Sequence, residues 1–346
     1  VADERHHHRV LGRLAIVVQL PGHHAIAGVV PRRESRNTHD GEPIGAPYDR
    51  RVDVEVLDEP TWTARAAAHA ARVDPYLQPH LARREARVKH PVHDFLFTYY
   101  SYRPAQLRRW HPGLGVALSG AAAASYVPLK GYAEVGPGPT VAVTTAFVHQ
   151  RTELVADLRT LLVATRDRPA QFGCFGLHEW AMVYHLREDE TRHHTYPLRL
   201  GTAGTDAVVD SQRIACSHFD AFRFFTPDAQ PLNALQPRHD DRPAFEQPGC
   251  LHAGMDLYKH AFRLAPMVGS DLVADAFELA WAARDLDMRG APYDVRELGF
   301  EPIRIETPEG RQEYAAAQRD LAERAAPLRQ RLIEACDRFL AVAADH

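Results

Sequence analysis

Three polar side chains recur at every fourth residue of an otherwise apolar segment, and this spacing constrains the fold more than any other feature of the chain. His252, Asp256 and His260 lie within residues 249–264. Four residues of an α-helix advance by about 400°, so the three side chains would project from one helical face. The surrounding apolar residues would bury that face, and buried imidazoles and carboxylates need hydrogen-bond partners or a metal ion. The segment therefore predicts a polar site inside a helical protein.

The composition is that of an ordinary globular protein, except for its 21 histidines. Of the 346 residues, 45% are hydrophobic and 25% are charged. No apolar run reaches the roughly eighteen residues that cross a bilayer. The formal net charge of -4 argues against general binding of polyanions, but a local basic surface is compatible with it. The four cysteines are widely spaced without a Cys-x-x-Cys motif, so we expect reduced thiols in a cytoplasmic protein.

The first fifty residues differ in composition from the rest. They are rich in Arg, His, Pro and Gly without a helical or strand period, which predicts a disordered or non-native extension over residues 1–50. Valine at the first position fits translation from an upstream non-AUG start. The alternative is a secretory signal, because three arginines precede the apolar run 14–20. A single catalytic domain is predicted over residues 51–346.

Helical periodicity recurs along this domain. Predicted helices cover residues 61–75, 81–89, 152–165, 177–186, 251–264, 271–284 and 309–344. Prolines predict a break after residue 75 and a kink or division of the last helix at Pro327. The segments 113–140, with room for one short strand, and 195–249 are predicted to be loops. The expected fold class is mainly α, a single helical domain with long Pro/Gly-rich loops.

Imidazoles and carboxylates on helices indicate a metal site. His252, Asp256 and His260 offer the nitrogen and oxygen ligands that zinc and non-haem iron use, and helical metal sites are assembled from such spacings. Two further histidines near apolar residues, His178 and His218, are additional candidate ligands. The alternative is a hydrogen-bonded core network in which Asp256 orients the histidines without a metal.

Cysteine and histidine occur together in three separate segments. Cys174, Cys216 and Cys250 each precede a histidine by two to four residues. The shared mixture of thiol and imidazole leads us to expect that these three Cys-plus-His segments converge on one pocket. The alternative for each segment is a buried cysteine beside a hydrogen-bonded histidine.

A basic and aromatic stretch runs from residue 83 to residue 110. It contains seven arginines and lysines but only two acidic residues, Glu85 and Asp94. Aromatic residues lie between basic ones along this stretch. Cations that neutralise phosphates beside rings that stack on bases are what a nucleic-acid groove requires. The alternative is an aromatic core segment flanked by solvated arginines.

Three segments resemble those of a bacterial family, frequent in actinobacteria, that is labelled 3-methyladenine DNA glycosylase. They are HPVHDFLFTYYSYRPAQL (90–107), GCLHAGMDLYK (249–259) and LDMRGAPYD (286–294). The resemblance covers the chain from about residue 52 to its C-terminus. It implies hydrolysis of the N-glycosidic bond of an alkylated base in double-stranded DNA, with no cofactor required and no protein partner expected.

Glycosylase chemistry needs an extruded base stacked on aromatic rings and a carboxylate that activates water or stabilises positive charge on the sugar. Under this hypothesis the candidate carboxylates are Asp256 and Glu179, the candidate stacking rings are Tyr99, Tyr100, Tyr102 and Trp180, and the candidate phosphate anchors are Arg103, Arg108 and Arg109. The rival hypothesis is a metal-dependent enzyme, such as an oxygenase, with zinc or non-haem iron held by the His, Asp, Glu and Cys residues. Stoichiometric metal would favour this rival, because the glycosylase reaction does not require one.

Overall fold

The computed structural model describes residues 54–136, 138–191 and 195–344. All of these residues belong to one compact unit. The extension predicted over residues 1–50 lies outside the described residues. The described part is mostly helical with one small sheet, which confirms the predicted fold class.

The helices and strands of the described residues are short in the first half and long at the C-terminal end. The α-helices are α1 (Glu59–Glu85), α2 (Phe95–Thr98), α3 (Pro104–Arg108), α4 (Thr145–His149), α5 (Thr152–Asp167), α6 (Leu177–Ala181), α7 (Gly201–Ser211), α8 (Phe219–Phe222), α9 (Arg242–Phe245), α10 (Leu251–Leu264), α11 (Ser270–Gly290) and α12 (Pro308–Ala344). The strands are β1 (Glu55–Leu57), β2 (Val116–Ser119), β3 (Tyr132–Glu134) and β4 (Thr140–Val143). In this part of the chain, no helix has both the length and the apolar character that a membrane span requires.

α10, α11 and α12 form the centre of the domain, and α5 packs against α12 and α10. The interface between α10 and α11 is aromatic: the rings of Tyr258 and Phe277 lie edge to face with their centroids 5.2 Å apart, and both side chains are fully buried. Leu332 of α12 is also fully buried. Because these helices cover α10, most of the polar side chains on α10 lie inside the protein.

A small sheet replaces much of the loop predicted over residues 113–140. The strand order is β1-β2-β4-β3, with β1 parallel to β2 and the other neighbours antiparallel. Leu118 lies opposite Val141 in the central pair. The prediction of a loop with one short strand is wrong because strands of three or four residues are too short to show the two-residue alternation that identifies a strand.

Prolines inside two helices do not end them. The break predicted after residue 75 is wrong, because α1 continues through Pro75 and Pro79. Each proline removes one backbone donor from the helix. Burial of Val73 and Leu77 on the same helix stabilises the helical conformation nevertheless. α12 likewise continues through Pro327, so the last helix is not divided.

The helices predicted at 152–165 and 251–264 are confirmed as α5 and α10. The last helix begins as predicted, since Thr307 Oγ1 accepts a hydrogen bond from the backbone nitrogen of Gly310 at 3.1 Å. α6 is shorter than predicted and α11 is longer, and α7 lies in a segment that was expected to be loop.

Gly310, in the first turn of α12, leaves no space for a larger side chain. A Cβ atom at this position would lie 1.9 Å from the carbonyl oxygen of Arg304, which belongs to the backbone and cannot rotate away. We expect Gly310→Ala to lower the free energy of unfolding by about 1–3 kcal/mol because the backbone must shift. Urea denaturation measures this change.

Gly254→Ala in α10 is the matched control. Its new Cβ atom would have Ala325 Cβ as nearest neighbour, at an ordinary contact distance of 3.9 Å. Alanine has the higher helix propensity, so stability should stay equal or rise by up to about 1 kcal/mol. An equal loss of stability in both variants would show that the close contact between Gly310 and Arg304 does not cause the loss.

Candidate functional site

Asp287, near the C-terminal end of α11, is the centre of a buried ionic network. Its side chain is fully buried, Oδ1 accepts a hydrogen bond from His178 Nε2 at 2.8 Å, and Oδ2 accepts one from Arg284 Nη1 at 2.7 Å. Arg284 Nη1 also donates to Glu179 Oε1 at 3.1 Å. The network therefore joins α6 to α11 and engages both oxygens of Asp287.

The backbone before α6 brings Cys174 close to His178. Phe175 has a φ of 47° and Gly176 a φ of 74°, and two consecutive left-handed residues turn the chain sharply into α6. Cys174 Sγ consequently lies 3.7 Å from His178 Nδ1, while the other ring nitrogen faces Asp287. The His178 ring is thus oriented from both sides.

Burial and neighbouring charges give the two adjacent histidines, His178 and His252, very different pKa values. Burial lowers the pKa of His178, but Asp287 outweighs burial and holds this pKa well above its ordinary value. Burial raises the pKa of Asp287, whereas His178 and Arg284 hold it well below the usual range. Burial and the nearby His178 lower the pKa of His252 to about 3. His252 is therefore neutral at neutral pH, with a ring nitrogen lone pair that can bind a metal.

Three helices bring one candidate metal-binding group together. His178, His252 and Asp287 each offer one ligand atom, and these atoms lie within 4.8 Å of one another. In the parts of the chain that the structure describes, this is the one group of three His, Cys, Asp or Glu side chains that satisfies such a distance. The ring of His252 approaches that of His178 edge-on, with centroids 4.6 Å apart. Two imidazole nitrogens and one carboxylate oxygen suit zinc or non-haem iron.

A cavity of about 670 Å³ lies beside this group. Its wall includes two histidines and three cysteines: His178, His252, Cys174, Cys216 and Cys250. The expected convergence of the three Cys-plus-His segments is therefore observed, with His218 completely buried behind the wall and its ring centroid 5.4 Å from that of His252. Burial raises the pKa of Cys216 and of Cys250, so both are protonated thiols.

Two polar atoms of residues that line the cavity have no protein partner. Tyr314 Oη and Gln318 Oε1 are buried, and neither forms a hydrogen bond with a described residue. Gln318 Nε2 donates to the carbonyl oxygen of Gly249 at 2.6 Å, which fixes this side chain. A buried polar atom without a partner costs about 1–3 kcal/mol, so these two atoms are unsatisfied groups next to the cavity.

Asp256, the centre of the polar face predicted on α10, is not part of the cavity wall. Its oxygens accept hydrogen bonds from Tyr100 at 3.1 Å and from Arg242 at 2.8 Å, and Lys259 Nζ lies 3.4 Å away. Burial raises the pKa of Asp256, but His218 and Lys259 outweigh burial and hold it well below the usual range. Protein cations therefore neutralise this carboxylate, and among the described residues Asp256 belongs to no group of three ligand atoms within 4.8 Å of one another.

His218 and His260, the other predicted ligands, lie beside Asp256. His218 Nε2 is 3.4 Å from Asp256 Oδ2, which is ion-pair distance, but it completes no hydrogen bond. His260 is also buried, and its Nδ1 has no hydrogen-bond partner among the described residues. The predicted set of metal ligands is thus divided, because His178 and His252 meet at the cavity whereas Asp256, His218 and His260 do not join them.

The rings predicted to stack on a base lie mostly in the core. Trp180 is fully buried, and its Nε1 donates to a backbone carbonyl oxygen of α11 at 2.8 Å. Tyr100 and Tyr102 are buried and pack edge-on against the same tyrosine of α10, whereas Tyr99 is half-buried. None of these four rings lines the cavity, and neither does Glu179.

The predicted phosphate anchors lie at the surface around α3. Arg103, Arg108 and Arg109 are exposed, and none of them lines the cavity beside His178. Arg108 Nε pairs with Asp74 at 2.7 Å. Arg109 lines a second pocket together with Tyr102.

Asp287 lies in the segment 286–294 that carries part of the family resemblance, but it was not assigned to the site. Its helix was predicted to end at residue 284, whereas α11 continues to Gly290. Leu286 and Met288 are buried beside Asp287, and a charged residue between two apolar ones at the end of a helix was the available signal.

Comparisons with protein-family models, with curated proteins and with solved structures find no match for this chain. The glycosylase family indicated by the resemblance therefore stays a prediction.

Asp256→Asn removes a buried negative charge that faces Arg242 and Lys259. We expect the free energy of unfolding to fall by about 3 kcal/mol, because each buried cation loses one of its two carboxylate partners. Arg242 then keeps only Glu246, and Lys259 keeps only Asp220. Asp275→Asn is the matched control, since Asp275 is partly exposed and pairs with two surface arginines. The free energy of unfolding of this control variant should fall by less than about 1 kcal/mol. Similar small losses in urea denaturation of both variants would show that the Asp256 cluster is not strongly stabilising.

His260 should make stability depend on pH. Burial lowers its pKa from 6.5 to about 3, and Arg242 and Lys259 add to this effect against Asp256. The unfolded state therefore binds an additional proton between pH 6.5 and pH 3, so stability is present above this window and is lost as the pH falls through it. We expect His260→Asn to flatten this dependence by up to about 1.4 kcal/mol per pH unit.

The control for His260 is His185→Asn. His185 is exposed, and its pKa is raised by its hydrogen bond with Asp228, so this change should not flatten the slope in the acidic window. Denaturation at a series of pH values measures both variants. If stability depends on pH in the same way in His260→Asn as in the unaltered protein, the pH dependence does not come from the lowered pKa of His260.

Proposed function

We propose that the protein is a metal-dependent enzyme that binds zinc or non-haem iron through His178, His252 and Asp287. The observation that carries this proposal is the meeting of three ligand atoms within 4.8 Å beside a cavity of about 670 Å³. Structural zinc sites use four protein ligands, whereas catalytic sites use three and keep a position for water or substrate. Two histidines and one carboxylate form such a three-ligand set in zinc hydrolases and in non-haem iron oxygenases.

The residues behind the ligands support this role. Arg284 binds Asp287 Oδ2 and leaves Oδ1 directed at His178, so the carboxylate is held in one orientation. Glu179 offsets the positive charge of Arg284. Such supporting contacts orient metal ligands and tune their basicity. A bound ion would supply Lewis-acid activation of water or of a substrate oxygen.

The cavity indicates a small substrate with both polar and apolar parts. Its volume is within the range of small-molecule sites. Leu177, Leu235 and Phe245 provide apolar wall, whereas Ser217, Gln171 and the two histidines provide polar wall. A substrate in the cavity would therefore lie beside the two histidines.

Metal binding by chelator-treated protein tests the proposal. We expect one equivalent of Zn²⁺ to bind in isothermal titration calorimetry, and His178→Ala and His252→Ala each to weaken binding at least about tenfold. His252→Ala is the more informative variant, because His252 takes no part in the ion pairs around Asp287. Its fold should therefore be retained, which circular dichroism checks.

His185→Ala is the control for metal binding, since its side chain pairs with Asp228 at the surface. It should bind zinc as the unaltered protein does. If the unaltered protein binds no zinc and no ferrous iron, or if His252→Ala binds them equally well, the proposed function is overturned.

Excision of an alkylated base from double-stranded DNA, the activity that the resemblance implies, is the second candidate function. The observation in its favour is the same cavity, whose wall includes Gln171 and Phe245. Amides can bind the edge of an extruded base, and a ring can stack on it. Release of 3-methyladenine from methylated duplex DNA by metal-free protein would support this second function against the first.

A further inference from the structure

A second pocket, of about 590 Å³, lies between α3, the start of α5 and the end of α10. Four cationic side chains line it: Arg109, Lys130, Arg151 and Arg263. The described residues of its wall include no Asp and no Glu. This basic pocket shares no lining residue with the cavity beside His178.

The described part of the chain does not neutralise the four cations of the basic pocket. Among the described residues, none of them forms an ion pair, in contrast to Arg108, which pairs with Asp74. Burial, Arg242 and Arg151 lower the pKa of Arg263 and outweigh the distant carboxylates Asp256 and Asp157. A concave surface with several unpaired cations concentrates positive potential and attracts anions.

Two of these cations are held in place by an aromatic ring. The Arg151 guanidinium lies 5.3 Å and the Lys130 ammonium 5.9 Å from the centroid of Phe147. Arg151 Nε is buried and has no hydrogen-bond partner in the described part of the chain. A ring contact orients a cation without using its hydrogen-bond donors, so the ring does not compete with a ligand for them.

Aromatic side chains form another part of the wall. Tyr102 and Phe262 are stacked, with centroids 4.4 Å apart, and Phe262 is half-buried. Burial and the neighbouring Arg109 lower the pKa of His111 to about 4, so this histidine contributes no positive charge at neutral pH. The pocket thus combines a cationic side with an uncharged aromatic side.

We propose that the basic pocket binds the phosphate group of an organic phosphate, with the four cations around the phosphate oxygens and the Tyr102–Phe262 stack beside the organic part. Guanidinium groups donate two parallel hydrogen bonds to a phosphate, and a lysine adds a point charge. A stacked pair of rings provides an apolar surface for a planar organic group. The phosphate could belong to a free nucleotide or to a nucleic-acid backbone, because both present the same anionic oxygens.

Titration with three probes tests this site: AMP, inorganic phosphate and a short unmodified DNA duplex. We expect AMP to bind at one site and more tightly than inorganic phosphate, because it adds ring contacts, and we expect its affinity to fall with salt. Arg151→Gln combined with Arg263→Gln should weaken AMP binding at least tenfold. Lys130→Gln should weaken it less, and it checks the result if the double variant folds poorly.

Arg159→Gln is the matched control, since Arg159 lies on α5, two turns beyond Arg151, and pairs with Asp337. It should bind AMP as the unaltered protein does. His252→Ala should also retain AMP binding, which separates this pocket from the proposed metal site.

Comparison of AMP with the DNA duplex shows whether the bound phosphate belongs to a free organic phosphate or to a nucleic-acid backbone. Saturable AMP binding that DNA does not displace assigns a free organic phosphate, whereas tight DNA binding that the double variant weakens assigns a nucleic-acid backbone. Binding of none of the probes in the millimolar range, or AMP and DNA binding that neither the double variant nor Lys130→Gln weakens, overturns the proposal.

Discussion

The hydrogen bond between His178 and Asp287 determines the geometry of the candidate site. Asp287 is completely buried, and a buried carboxylate without partners would cost several kcal/mol. His178 from α6 and Arg284 from α11 compensate this charge, so a helix of five residues is fixed against a long one. The position of α6 in turn places Cys174 and His178 on the cavity wall. The site therefore depends on one buried charge and its two partners.

Charge balance also explains why similar polar residues have different surroundings. Asp256 on α10 is surrounded by protein cations and is closed to ligands. His252, one helical turn earlier, is neutral and lies on the cavity wall. In the basic pocket the balance is reversed, because no described residue forms an ion pair with its four cations. The two surfaces that we propose to bind ligands therefore differ: the basic pocket keeps unpaired charges, whereas a metal ion would replace the hydrogen bond between His178 and Asp287.

Local periodicity was sufficient to predict the helical architecture and the bounds of α10, because that helix buries one face and keeps a regular spacing. His178 and His252 could be identified as polar residues among apolar ones. Their meeting with Asp287 could not be predicted, since His178 and Asp287 are 109 residues apart and only tertiary packing brings them together. The regular spacing of Asp256 with His252 was misleading, because Arg242, which neutralises Asp256, lies in a segment without periodicity.

Anomalous diffraction at the zinc absorption edge, from crystals grown with Zn²⁺, tests most directly whether the buried network is a metal site. The account predicts one peak at about 2.0–2.2 Å from a nitrogen of His178, a nitrogen of His252 and an oxygen of Asp287. Crystals grown with zinc in which His178 and Asp287 stay hydrogen-bonded, with no peak between them, would contradict it.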